Sequence, residues 1–99
     1  MGEFEQLVLL AVLRLDNEAY GMEVREEIEQ RTGRSVSYGA VYTALDRLEQ
    51  KGYVDYRLGE PTPERGGRAR KYFRVLAEGR AALRATRQAL TVMWEGVRL

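Results

Sequence analysis

The stretch from Phe4 to Leu15, FEQLVLLAVLRL, carries apolar side chains at every position from Leu7 to Leu13 and has no polar face to turn to water. Strong helix formers dominate it and Asp16-Asn17 supplies a stop, which predicts a first helix rather than a strand. A helix apolar on all sides must be covered on more than one of them. The chain of 99 residues fits one domain whose single core is sufficient but not generous, so the second cover is expected from a partner subunit.

The segments that follow read in order. In MEVREEIEQRTG, Met22, Val24 and Ile28 give a second helix a narrow apolar stripe, Glu23, Glu26, Glu27 and Glu29 read as a solvated face, and Gly33 is placed to end it. The segment SVSYGAVYTALDRLEQKGYV predicts a third helix with Ser37 as N-cap, Val36 set to pack on Val41, and Gly52 as the stop. Val41, Leu45 and Leu48 must face the core. Tyr38, Gly39, Tyr42, Thr43, Asp46 and Arg47 then point away from it, so this helix opens with little bulk and much hydrogen-bonding capacity.

Two strand-type runs, YVDYRL (53–58) and RKYFRVL (70–76), flank the loop GEPTPERGGRA and predict a β-hairpin with a long tip. From Ala77 onward a fourth helix is expected. Leu83, Thr86, Leu90, Met93 and Val97 recur in it at spacings of 3, 4, 3 and 4, a seam for packing one helix along another. Together with the over-apolar first helix, this predicts a homodimer through helices 1 and 4, with Leu7, Leu10, Leu83, Leu90, Met93 and Val97 at the interface. The fold class is mainly α with a small β-hairpin, divided into a body of 1–76 and a dimerisation helix of 77–99.

Composition narrows the chemistry. There is no cysteine and no histidine, so thiolate chemistry, disulfides and the commonest metal ligand and general base are missing, and no serine sits in a nucleophile elbow. An enzyme is not expected, and neither is a metal or other cofactor. No apolar run approaches the roughly 18 residues that span a bilayer, and the N-terminus lacks a basic signal region, which predicts a cytoplasmic protein with no membrane partner.

The net charge of +1 conceals an asymmetry. Residues 1–30 hold two basic and eight acidic side chains, while 59–76 hold five basic and two acidic. Three helices, a hairpin and a final helix, with small polar residues opening the third, is the plan of a winged helix-turn-helix. There the third helix enters the major groove, and Ser37, Gly39 and Ala40 allow its backbone to come close to phosphates and bases. Tyr38, Tyr42, Thr43 and Arg47 would supply hydrogen bonds to phosphates or base edges. Arg65, Arg68, Arg70, Lys71 and Arg74 cluster around Gly66-Gly67 and would neutralise phosphates whatever the sequence. The expected partner is double-stranded DNA; the alternative is a winged-helix module for protein interaction that does not touch DNA. Trp94 lies beside the seam, where it either packs structurally or, paired across a dimer axis, stacks on a flat aromatic ligand.

The joint pattern resembles the PadR family of bacterial transcriptional regulators. Its carriers are Gly39, Tyr42, Leu45 and Leu48, then Lys51-Gly52, Gly66-Gly67-Arg68, Arg70-Lys71 and Tyr72-Phe73, with Ala19-Tyr20-Gly21-Met22-Glu23-Val24 upstream. The resemblance implies a dimeric winged-helix repressor on a pseudo-palindromic operator, often released by a small ligand, with one C-terminal helix for dimerisation as in the family's short members. Leu76 departs from the pattern, standing where the family usually has threonine.

Overall fold

The computed structural model describes residues 1–60 and 69–99. Its elements follow as α1 (Glu3–Arg14), α2 (Gly21–Thr32), α3 (Tyr38–Gln50), β1 (Val54–Leu58), β2 (Lys71–Val75) and α4 (Ala77–Trp94). The expected stops are in place: Gly33 and Gly52 take left-handed φ values of 72° and 77°, where a side chain would be strained.

One apolar cluster joins Val8, Leu9 and Val12 of α1, Val24 and Ile28 of α2, Val41, Leu45 and Leu48 of α3, and Val54, Phe73 and Val75 of the hairpin. The inward face of α3 is thus the one its spacing predicts. The hairpin is antiparallel, with Val54 opposite Val75 and Tyr56 opposite Phe73. A third segment completes it. Ala19 and Phe73 exchange backbone hydrogen bonds, Ala19 N–H to the Phe73 carbonyl at 3.1 Å and the reverse at 2.7 Å. The Asn17 side chain imitates a further peptide, accepting from Val75 N–H at 2.7 Å and donating to the Val75 carbonyl at 3.3 Å. Residues 16–20 thereby dock β2 onto the helical body. Asp16 and Asn17 take positive φ values to do so, a conformation their short polar side chains tolerate.

The C-terminal helix begins at Ala77 as expected and differs from its expectation at the far end. Leu76 provides no side-chain cap; its N–H instead donates to the Tyr53 carbonyl at 2.9 Å. At the far end Glu95 leaves the helical region and Gly96 turns left-handed at φ 76°, so Val97, which the seam spacing places in the helix, lies beyond it. Leu7 and Leu83, both expected at a dimer interface, are partly buried against the protomer's own core. Beyond Thr86 every residue of α4 is exposed, including Leu90, Met93 and Trp94 at 50%, 74% and 53%. None of the described helices is long and apolar enough to cross a membrane.

Two helical glycines separate packing from other reasons for smallness. A Cβ on Gly79 would lie 2.5 Å from the Tyr53 carbonyl oxygen and 2.9 Å from Val75, whereas a Cβ on Gly39 would meet nothing within 4 Å. Gly79→Ala is therefore expected to destabilise the protein by about 1–2 kcal/mol, overpacking against backbone outweighing the gain in helix propensity. Gly39→Ala should stabilise it by up to about 1 kcal/mol. Chemical denaturation of both variants checks the opposite signs.

Candidate nucleic-acid interface

The position of α3 is set by the turn before it. Both backbone groups of Val36 are taken by side chains of α2: its N–H donates to Glu29 Oε2 at 2.8 Å, and its carbonyl accepts from Arg25 Nε at 2.7 Å. Ser37 then caps the helix, its Oγ accepting from Ala40 N–H at 3.1 Å. The solvated face expected on α2 is in fact mostly employed. Glu29 holds this turn, and Glu23 accepts from Tyr20 N–H at 3.1 Å. Glu27 accepts from Arg31 at 2.6 Å and from Arg14 of α1 at 3.3 Å, contacts that hold its carboxyl below the usual range, chiefly through Arg31. Glu26 alone remains simply exposed.

The outward face of α3 carries two stripes. On one, Tyr38 and Tyr42 stack with centroids 5.9 Å apart and planes 8° from parallel, and the Arg25 guanidinium covers Tyr38 at 5.5 Å. The far end of the Tyr42 ring rests on Gly21, where a Cβ would fall 2.7 Å from its Cζ. Glycine at the start of α2 therefore makes room for a tyrosine of α3. The other stripe, Gly39, Ala40, Thr43 and Arg47, lines a shallow hollow beside Gly2, Phe4 and Glu5. Arg47 has no carboxylate partner among the described residues.

The expected cationic cluster divides in two. Arg74 is spent within the hairpin, donating to both carboxylate oxygens of Asp55 at 2.6 and 3.0 Å and holding that carboxyl below its ordinary value. Arg70 and Lys71 have no ion-pair partner among the described residues; they lie over the rings of Tyr20 and Tyr56 at 4.2 and 4.4 Å. Arg57 lies over Tyr72 at 4.7 Å and also pairs with Glu18. Outside the hairpin, Arg34 is neutralised by both carboxylate oxygens of Glu3 at 2.8 and 3.3 Å, and Lys51 by Glu5 at 2.8 Å. Arg65 and Arg68 lie outside the described residues.

A separate groove of about 590 Å³ runs between α1 and α4. Leu10, Leu13, Leu83, Leu90 and Trp94 line its apolar part, and Arg80, Arg84 and Arg87 border it.

Residues 9–85 match the transcriptional regulator PadR-like family, a stretch that takes in the second half of α1, all of α2 and α3, the hairpin and the first half of α4. The chain belongs to the PadR-like family. A transcriptional regulator of Mycobacterium tuberculosis is 38% identical over 95 residues, covering 91% of this chain and 82% of that protein. A PadR family transcriptional regulator from Eggerthella lenta superposes with a TM-score of 0.73 at 26% identity, covering 95% of this chain and 81% of that one. A winged-helix DNA-binding protein from STIV shares the fold alone, at 16% identity and a TM-score of 0.72, over 91% of this chain and 89% of that one. Like the rest of the PadR-like family, the chain is a DNA-binding transcriptional regulator rather than an enzyme.

In this PadR-like regulator the clamp on Val36 is expected to matter to stability as well as to placement. Glu29→Ala leaves a buried residue's N–H without its charged acceptor and should cost about 1–2 kcal/mol, while Glu29→Gln, which keeps an acceptor, should cost less. Thermal and denaturant unfolding of the two variants give the comparison.

Proposed function

We propose that the chain is a dimeric repressor that binds a pseudo-palindromic duplex operator, with α3 in the major groove and the hairpin along the flanking backbone. The observation that carries this reading is Gly39. Glycine inside the first turn of a helix costs stability, and nothing among the described residues lies near enough to require it. A local choice that weakens a helix without serving its packing belongs to a functional surface.

In this reading Gly39 and Ala40 give clearance, and Thr43 and Arg47, on the open stripe, meet base edges. Ser37, Tyr38 and Tyr42 contact the backbone, as do Arg70 and Lys71 with Arg65 and Arg68 of the loop tip. Arg47, Arg70 and Lys71 suit these roles because no carboxylate among the described residues neutralises them. Dimerisation is supported by the contiguous apolar exposure of Leu10, Leu90, Met93 and Trp94, which water covers at a cost in a lone protomer. The groove beside Trp94 is the place for a flat aromatic effector, whose binding would quench the tryptophan fluorescence.

Selection of bound duplexes from a random pool is expected to return an inverted repeat with half-sites one helical turn, or a multiple, apart. A single unpaired half-site, or no enrichment, overturns the reading. Leu90→Glu should convert a solution dimer to monomer in light scattering. Gly39→Leu should weaken binding at least tenfold while the protein stays folded.

A further inference from the structure

We infer that Tyr20 is a positioning residue for DNA binding: its ring sets in place the guanidinium of Arg70, which has no ion-pair partner among the described residues, and ties the hairpin to the recognition helix. This rests on the DNA reading above and names the device by which the wing is held. Tyr20 is the N-cap of α2, with extended backbone at φ −96° and ψ 165°. That conformation turns it out of the helix toward β2. Arg70 covers its ring at 4.2 Å, and the Tyr72 ring meets it edge-on, with centroids 5.7 Å apart and planes at 77°. Arg57 covers Tyr72 in turn at 4.7 Å, and Gly59 has no side chain because a Cβ there would lie 2.5 Å from the same ring.

The neighbour of Tyr20 completes the link. Gly21 is the seat of Tyr42, which stacks on Tyr38. The dipeptide Tyr20-Gly21 therefore touches the wing on one side and the outward face of α3 on the other.

The kind of partner Arg70 has decides what it can do. Arg74 is held by Asp55, and its charge is cancelled there. Arg70 is held by rings, over Tyr20 and against Tyr72, and its Nε is buried without a hydrogen-bond acceptor among the described residues. A face-on ring attracts a cation through its quadrupole without neutralising it. The guanidinium thus loses its rotamer freedom before any ligand arrives and keeps a full positive charge for a phosphate, which lowers the ordering cost of binding. Lys71 also lies over a ring, that of Tyr56, but as a point charge without the flat stack of a guanidinium.

Fluorescence anisotropy with the selected duplex and with random duplex, over a series of salt concentrations, tests the assignment. Tyr20→Leu is expected to lower affinity for both duplexes by the same factor, roughly five- to twentyfold, with an unchanged slope of log affinity against log salt because no charge is lost. Tyr20→Phe, which keeps the ring, should stay near the parent. Arg70→Gln should weaken binding and reduce the slope by about 0.9. Arg70→Lys keeps the charge but not the flat stack, so it should reproduce the loss of Tyr20→Leu at parental slope, and it supplies the test should Tyr20→Leu not fold. Parental affinity in Tyr20→Leu or Arg70→Lys, or an equal loss in Tyr20→Phe, overturns the positioning role. A parent that binds no duplex defeats the DNA reading itself, and this inference with it.

Discussion

Val36 is the point on which the geometry of the outward surface depends. It follows α2 by a short turn, it is buried, and its own backbone cannot reach a helix or sheet partner. Glu29 and Arg25 satisfy its N–H and carbonyl from the preceding helix. A buried backbone group left without a partner costs as much as a lost hydrogen bond, so this pair of contacts allows the turn to be both tight and buried. The angle between α2 and α3 follows from it. With that angle set, Val41, Leu45 and Leu48 enter the core, and the slim first turn of α3 is left facing outward.

Charge on this surface is organised by choice of partner. Arg34, Arg74 and Lys51 meet carboxylates, and exposed pairs of that kind add little stability each. Their effect is subtraction. They remove positive charge from places where it would compete, and leave it at Arg47, Arg70 and Lys71. The acidic first third of the chain supplies several of the neutralising groups: Glu3 and Glu5 reach residues 34 and 51. The asymmetry along the sequence thus becomes partial cancellation in space.

The helices were legible in the sequence because their apolar periodicity and their stops agree: Ser37 caps α3, and Gly33 and Gly52 end α2 and α3 where expected. What escaped were contacts that join residues distant in sequence or lie at element ends. A glutamate on a polar stripe looks the same whether it faces water or accepts from Val36. The Asp55 pairing with Arg74 depends on the hairpin register, which a long loop does not dictate. The Ala19 bridge is a single residue with no alternation to announce it. The end of α4 was hidden because the apolar spacing runs on through Val97 while the backbone stops at Glu95 and Gly96. Of the candidate surface, the outward stripes of α3 were readable, and the rings that hold the wing cations were not.

The docking of residues 17–19 on β2 has a consequence for the solubility of an extended hairpin. A free strand edge is a template for pairing with another chain. Here the Asn17 amide and the Ala19 backbone occupy one edge of β2, and β1 occupies the other. That leaves β1 as the open edge among the described residues, five residues long and charged at Asp55 and Arg57. A wing that must project from the body is thereby kept from adding strands from its own copies, and it guards against aggregation with a turn that carries no strand pattern of its own.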